Sequence, residues 1–223
     1  MELRQLRAKA VRAVLGVTAL IGVVVFPQMV QAVSLSNTGI TSGSFASFAD
    51  ISSPTSMVTT FDYSPGTLGG DGDVWSSVFP GIGGALGNYV YLYQINHFTT
   101  SSEAKASGIS FDWNSPVVPP LVSFYITDGP GTLAPTSVDL DAGGVMSFFF
   151  TPPGSIPKGA SSYFMGAISP YAPGVVIADV LDSGLTLASA SVFAPSVPEP
   201  TTMLLLGSGL VGLGLWRRLK VGA

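Results

Sequence analysis

The sequence contains no cysteine, a single histidine and few charged residues. The lack of cysteine excludes disulfides, thiolate zinc sites, iron–sulfur clusters and cysteine nucleophiles. Charged residues make up 10% of the 223-residue chain, whereas an ordinary soluble domain has about 25%. A formal net charge of −4 argues against a nucleic-acid partner, because nucleic-acid binding requires a basic face. The low charge also predicts that membrane-type segments accompany a soluble part.

The charges fall into three blocks. Residues 1–32 hold four basic residues and one acidic residue, and residues 198–223 hold three basic residues and one acidic residue. Residues 33–197 hold eleven acidic residues against two basic ones, Lys105 and Lys158, and no arginine. The central block is therefore acidic, which favours solubility and disfavours an anionic partner unless a cation bridges the two.

The N-terminal block has the three regions of a secretory signal. Its basic residues precede an uncharged run of 14 residues, 13–26, which is shorter than the roughly 20 residues of a membrane span. Val30 and Ala32 then supply compact residues for a signal peptidase site, which predicts cleavage between Ala32 and Val33. We expect residues 1–32 to be a cleaved signal peptide; an uncleaved anchor or a buried helix is the alternative.

The C-terminal block combines an apolar run with a basic end. Residues 201–216 are uncharged, and Arg217, Arg218 and Lys220 follow them. This pattern predicts a short transmembrane helix whose basic end stays in the cytoplasm. The basic residues of the N-terminal block stay there too, so residues 33–196 are predicted to be translocated.

The motif Val197-Pro198-Glu199-Pro200, the apolar residues 203–216, and Arg217-Arg218 resemble the PEP-CTERM protein-sorting signal of Gram-negative bacteria. The resemblance implies recognition by an exosortase, a membrane-embedded, transpeptidase-like cysteine protease that cleaves near the motif. It further implies export through the inner membrane, a membrane-anchored precursor, and a product in the cell envelope, at the surface or outside the cell. Such signals are often associated with exopolysaccharide and biofilm production. A plain tail anchor is the alternative for residues 197–223.

The central block predicts a mainly β domain over residues 33–196. It holds 14 of the 17 prolines, which helix interiors reject, and it lacks a sustained helical period. Short runs separated by turn residues predict eight or nine strands of an antiparallel β-sandwich or jelly roll. Residues 33–73, rich in Ser, Thr and Gly, indicate an edge hairpin or a partly ordered entry segment. The clearest runs are 74–79, 88–95, 109–113, 121–126, 145–150, 163–168, 175–181 and 185–193.

Two details extend this prediction. Consecutive strand side chains face opposite ways, so the run Phe148-Phe149-Phe150 indicates a central strand, or one that leaves Phe149 at an interface. From about Asn88 onward, the Tyr91–Gln94 run and the Asp128-Gly129 turn also resemble the body domains that commonly precede this sorting signal. That likeness implies a β-sandwich of unassigned role.

Aromatic residues provide a candidate glycan site. Tyr89, Tyr91 and Tyr93 share one face of a predicted strand, and Trp113 provides a further ring on which a sugar can stack. Core packing or half-exposed packing on a sheet is the alternative for the tyrosines, because aromatic residues are enriched in strands generally. A core position is the alternative for Trp113, with its indole N–H hydrogen-bonded.

Two aspartate pairs provide a candidate calcium site. Asp71 and Asp73, like Asp139 and Asp141, are predicted to place two carboxylates one residue apart on turns. Calcium takes several oxygen ligands, which loop carbonyls can supplement. The alternative is that these aspartates stabilise turns through their side chains.

The residues offer little for catalysis. His97 is the single histidine, and nothing in the sequence marks an orienting partner or a substrate pocket for it. The candidates for the acid pair of a glycoside hydrolase are Glu103, Asp112 and loop aspartates such as Asp62, Asp128, Asp179 and Asp182, most of which lie beside turn residues that explain them equally well. We therefore expect a non-enzymatic envelope or matrix protein with a structural or glycan-binding role. A secreted carbohydrate-active enzyme with the same sorting signal is the alternative.

Overall fold

The computed structural model describes residues 33–63, 70–101, 105–118, 120, 122–150, 155–182 and 187–196. These residues form thirteen strands, one short α-helix and one turn of 3₁₀ helix at residues 83–85. In chain order the elements are β1 (Val33–Leu35), β2 (Asn37–Ile40), α1 (Ser42–Ala46), β3 (Thr55–Phe61), β4 (Gly72–Pro80), β5 (Tyr89–His97), β6 (Lys105–Asp112), β7 (Ser123–Ile126), β8 (Ser137–Leu140), β9 (Val145–Phe149), β10 (Ile156–Pro157), β11 (Met165–Ser169), β12 (Pro173–Asp182) and β13 (Leu187–Pro195).

The strands form two sheets. The first sheet has the order β1-β8-β9-β6-β12-β13, with β10 also paired to β6. The second sheet has the order β2-β7-β11-β5-β4-β3. All pairs are antiparallel except β2 and β7, which are parallel. The prediction of a mainly β domain with antiparallel pairing is confirmed, and the parallel pair is a feature that the sequence did not indicate.

The two sheets share one core, to which alternate residues of each strand contribute. In β6, Ile109 and Phe111 are buried, whereas Ser110 and Asp112 face the other way. The ring of Phe111 lies 4.6 Å from that of Tyr93 in the second sheet, centroid to centroid. The alternation read from the sequence thus places this strand correctly, because a strand with one buried face must keep a period of two.

The triple phenylalanine lies in and just after β9, an interior strand between β8 and β6. Phe148 and Phe150 are buried, and Phe149 is half-buried on the outer face. The strand is therefore interior to its sheet, as expected, but it is not fully buried on both faces, because Phe149 stays partly exposed.

Residues 33–73 are more structured than an entry segment. They provide β1 to the first sheet and β2 and β3 to the second sheet. In the sequence, α1 lies between β2 and β3. Thr41 caps α1, its hydroxyl accepting a hydrogen bond from the backbone N–H of Ser44. Phe45 and Phe48 then pack on the outer face of the second sheet, where Phe45 meets Phe79 edge-on at 5.2 Å. Half of that outer face is therefore covered, while the half nearest β3 stays open.

The last strand, β13, is held by both sheets. It pairs with β12 along its whole length, from Pro195 opposite Pro173 to Leu187 opposite Leu181. On its free side, the N–H of Phe193 donates to Ser76 Oγ at 2.8 Å, and the hydroxyl of Tyr93 donates to the Phe193 carbonyl at 2.6 Å. Two hydroxyls of the second sheet thus satisfy backbone groups that an edge strand would otherwise present to another chain.

None of the helices among the described residues is long and apolar enough to cross a membrane. The signal helix predicted within residues 1–32 and the transmembrane helix predicted within residues 197–223 both lie outside the described residues.

Candidate functional site

The tyrosine face predicted to bind a glycan is not exposed. Tyr91 and Tyr93 have no exposed surface, and Tyr89 is half-buried. Their rings point into the space between the sheets, where the hydroxyl of Tyr91 donates to the carbonyl of Tyr171 at 2.8 Å. Burial raises the pKa of Tyr93 and of Tyr91 well above the ordinary value. The interpretation as a glycan face is wrong, because the aromatic side of β5 forms the core.

Trp113 likewise belongs to the core rather than to a binding surface. It has no exposed surface, and its ring meets that of Tyr91 edge-on at 5.2 Å. The indole nitrogen Nε1 is buried and has no hydrogen-bond partner among the described residues. The alternative of a core tryptophan is therefore correct in position, but the expected hydrogen bond of its indole is absent.

Three of the four aspartates predicted to bind calcium, Asp71, Asp73 and Asp141, accept hydrogen bonds within the fold. Asp71 is fully buried, and its Oδ2 accepts from the backbone N–H of Tyr63 at 2.7 Å. Asp141 accepts from the backbone N–H of Val145 at 2.8 Å in the turn between β8 and β9. Asp139 lies on β8, with its side chain half-buried. Within the described ranges, no three histidine or acidic side chains come together as a metal cluster, so the geometry favours the turn-stabilising alternative for Asp141.

His97 ends β5 and is almost fully buried, with 1% of its surface exposed. Its Nδ1 lies 3.0 Å from the Ile156 carbonyl, which only accepts, so Nδ1 carries the proton. Nε2, 2.7 Å from Ser101 Oγ, then accepts from that hydroxyl in the neutral ring. A pocket of about 380 Å³ lies beside this pair, yet both side chains are nearly inaccessible to a substrate. The hydrogen bonds of this pair therefore connect the end of β5 to Ile156 and to the turn that contains Ser101.

Burial lowers the pKa of His97 from its usual 6.5, although the Ile156 carbonyl and the Asp71 carboxylate favour the protonated ring. The unfolded chain therefore binds more protons near pH 6.5 than the folded chain, and stability falls as the pH falls through that value. We expect the urea midpoint of the full chain in detergent to be lower at about pH 5.5 than at about pH 7.5, and His97→Gln to remove most of this difference. An equal pH dependence in the variant would contradict the assignment.

The carboxylates of Asp50 and Asp128 do not interfere with this measurement. Hydrogen bonds from Ser52 and from Ser42, respectively, lower their pKa values from 3.8. The stability that these two carboxylates contribute is present above that value and is lost only at more acidic pH.

An exposed aromatic surface lies on the opposite face of the second sheet. Trp75 of β4 is 44% exposed, and Val58 lies directly opposite it on β3 with 52% exposed. Two residues along β4 in either direction, about 7 Å away, are Asp73 and Ser77. Asp73 Oδ1 accepts from Asn96 Nδ2 at 2.6 Å. We call this surface the Trp75 platform; it consists of Ser56, Val58, Asp73, Trp75, Ser77 and Asn96.

Sequence reasoning missed this platform. The alternation in β4 places Trp75, Ser77 and Phe79 on one face and Val74 and Val78 on the other, but it does not say which face the core covers. Phe79 is buried under α1, whereas Trp75 is not. The available signal was a tryptophan followed by two serines and preceded, two positions earlier, by an aspartate.

Several predicted site residues lie outside the described residues. They are Ala32, Glu103, Val197, Pro198, Glu199, Pro200, Arg217 and Arg218. Val33, the other side of the predicted cleavage site, is the first residue of β1 and is 54% exposed. Asp112 ends β6 on the outer face of the first sheet.

Comparison with known proteins identifies the C-terminal signal. Residues 196–218 match the model of the PEP-CTERM protein-sorting motif. Neither a curated protein nor a solved structure matches the chain. The resemblance found in the sequence is thus confirmed: the chain carries a PEP-CTERM sorting signal, which marks an exported protein processed by an exosortase and targeted to the envelope or surface.

Proposed function

We propose that this protein is a non-enzymatic component of the bacterial cell envelope or extracellular matrix that binds an uncharged glycan through the Trp75 platform. The observation that carries the proposal is the exposure of Trp75 beside Val58 on the outer face of the second sheet, with polar side chains in both directions along β4. A tryptophan ring presents a broad apolar surface, which fits the C–H face of a sugar ring. Targeting to the envelope or surface, which the sorting signal implies, supports the choice of an extracellular glycan as the ligand.

The polar rim of the platform supplies hydrogen bonds on both sides of the indole. On one side, the Asp73 carboxylate is oriented by Asn96 and keeps acceptor capacity for sugar hydroxyls. On the other side, the hydroxyls of Ser56 and Ser77 lie 2.8 Å apart. An apolar centre with a few placed polar groups is the arrangement that small-molecule sites use to fix orientation. Asp73 and Ser77 lie four residues apart on β4, about 14 Å at the usual rise of a strand, so a chain of two or more sugar units is needed to reach both sides.

Charge favours a neutral glycan over an anionic one. The platform contains one ionisable side chain, Asp73, and no cation. The two lysines of residues 33–197, Lys105 and Lys158, lie in other parts of the fold, on β6 and after β10. An acidic polysaccharide would therefore meet repulsion from a domain with eleven acidic residues.

The absence of enzymatic activity is part of the proposal. Several carboxylates accept hydrogen bonds from the backbone and so stabilise turns or loops. Asp50 accepts from the N–H of Ser52, Asp128 from that of Ser42, and Asp141 from that of Val145. Asp73 is the acidic residue of the platform, whereas a glycoside hydrolase requires a second carboxyl group across the scissile bond. The alternative, a carbohydrate-active enzyme, would need a site elsewhere in the chain.

Binding to a neutral-glycan array tests the proposal, with the full chain kept in detergent. We expect Trp75→Ala to weaken binding about ten- to a hundredfold, since an aromatic contact of about 1.5–3 kcal/mol is removed. Trp75→Phe should retain part of the affinity because it keeps a ring.

Ile177→Ala is the matched control, because Ile177 is 62% exposed on the outer face of the first sheet. It removes a comparable apolar side chain from another surface and should bind as the unchanged chain does. If Trp75→Ala binds normally, the platform is not the glycan site. Release of new reducing ends from a glycan would instead favour the enzyme alternative.

A further inference from the structure

Both terminal segments leave the domain at the same end. A continuous row of paired residues crosses the first sheet from Val33 on β1 to Ala190 on β13. The neighbouring row connects Ser34 of β1 with Ser189 of β13 in the same manner. One step forward along β1 thus corresponds to one step backward along β13, so the two strands run in opposite directions. The first residue of β1 and the last residue of β13 therefore lie toward the same end of the first sheet. We call the end that they reach the exit end.

The second sheet has its β4–β5 loop at the exit end. Ser196, the last described residue, donates its N–H to the Ala172 carbonyl at 2.8 Å. The preceding residue, Tyr171, accepts from the hydroxyl of Tyr91, which lies two residues from the start of β5. The chain thus leaves beside the segment of residues 81–88, which joins β4 to β5.

Exposed apolar side chains concentrate in the loops at this end. Leu86 is 77% exposed, Ile82 is 38% exposed, and Ile51 is 59% exposed. The loops that carry them are tied together, because the N–H of Ile82 donates to the Phe48 carbonyl at 2.9 Å. Among the described residues, no exposed large hydrophobic side chain lies in the loops at the opposite end, where Lys105 and Lys158 are found. Among the described residues, the exposed apolar side chains of the loops therefore lie at one end of the strands and the two lysines at the other.

We propose that Ile51, Ile82 and Leu86, the exit-end tip, insert into the lipid surface beside the C-terminal membrane segment of the precursor. This inference rests on the export in the proposed function and on the membrane-anchored precursor expected from residues 197–223, and it adds the orientation of the domain. Five residue steps separate Ser196 from Thr201, where the uncharged run begins, so the linker spans at most about 18 Å. The tip is consequently held close to the bilayer surface.

Apolar contact rather than charge carries the interaction. The exit end has no lysine or arginine among the described residues, and Asp112 and Asp141 lie there on the side of the first sheet. Anionic headgroups would repel these carboxylates and also that of Asp50, which precedes Ile51 in the tip itself. A zwitterionic bilayer is therefore the appropriate surface, because exposed apolar side chains partition into its interface without a basic patch.

The absence of cysteine makes this orientation directly measurable. The full chain is reconstituted in vesicles of phosphatidylcholine after a single cysteine is introduced by Leu86→Cys and labelled with an environment-sensitive fluorophore. Thr100→Cys is the matched control, since Thr100 is exposed in the turn after β5 at the opposite end. We expect the label at position 86 to emit at shorter wavelength and to be quenched by lipid-attached quenchers. The label at position 100 should do neither.

The outcomes separate the orientation from the anchoring on which it rests. If the full chain does not float with the vesicles, the membrane-anchored precursor expected from residues 197–223 is refuted, and the lipid contact of the tip with it, whereas the glycan platform is not. If it floats but positions 86 and 100 give the same water-exposed emission, the lipid contact of the tip is refuted alone. A shift at position 86 without lipid quenching would show that the tip packs on protein, such as a second copy, and would also overturn the proposal. The double variant Ile82→Ser, Leu86→Ser, labelled at Ile51→Cys, should lose lipid quenching while it still floats.

Discussion

Trp113→Ala should lower the free energy of unfolding of the full chain by about 3–5 kcal/mol, the range for truncating a buried tryptophan. Trp113 has no exposed surface, and the rings of Tyr91 and Phe111 pack against it at 5.2 and 6.4 Å. Its removal leaves a cavity between the two sheets that rigid strands cannot close. Urea denaturation followed by circular dichroism measures the change.

Trp75→Ala is the matched control for this loss. The same side chain is removed from a position that is 44% exposed, and we expect a change of about 1 kcal/mol or less, as at most surface positions. The two variants should therefore separate stability from binding: the first loses stability, and the second loses glycan affinity. Equal destabilisation by both would contradict the assignment of Trp113 to the core and Trp75 to the surface.

The second large effect is expected at Gly166 of β11. A Cβ atom built on this residue would lie 2.0 Å from the carbonyl oxygen of Tyr91 and 3.0 Å from side-chain atoms of Leu92 and Phe124. Because β11 is an interior strand between β7 and β5, it cannot move away from β5 without breaking paired strands. Gly166→Ala should cost about 3 kcal/mol or more, at or above the upper end of the overpacking range.

Gly84→Ala tests whether this effect is specific to the position. A Cβ atom at Gly84 would meet only Pro120, at an ordinary distance of 3.6 Å or more. We expect its urea midpoint to stay close to that of the unchanged chain, whereas Gly166→Ala shifts the midpoint strongly or prevents accumulation of folded protein. A Gly166→Ala chain with normal stability would refute the close approach of β11 to β5.

The longer strands could be predicted because their patterns are local. The alternation of residues 109–113 predicts part of β6 correctly, and the apolar run 145–150 predicts β9 correctly. The short strands β1, β2, β8 and β10 have two to four residues each, too few for a period of two to be recognised. Their positions depend on pairing with residues distant in the chain, as when Val33 pairs with Leu140, and no local pattern carries that information.

The candidate site shows a different limit. Alternation shows that Tyr91 and Tyr93 share a face, but β5 is buried on both faces because α1 and its neighbours cover Val90 and Leu92. Which face meets the core is decided by tertiary packing, so the sequence could not separate the core side of β5 from its outer side. The same packing leaves Trp75 exposed. The sorting signal, in contrast, is a contiguous segment and could be recognised from the sequence directly.

The bonds on the free side of β13 have a mechanical consequence. Tension applied at residue 196 runs along the axis of β13, so the ladder to β12 is loaded in shear, with its nine register pairs sharing the force. The Phe193 N–H carries part of that force across to Ser76 Oγ, and the next residue back along β4 is Trp75. Force applied at residue 196 would therefore reach the Trp75 platform, the proposed glycan site, through one strand and one hydrogen bond between the sheets.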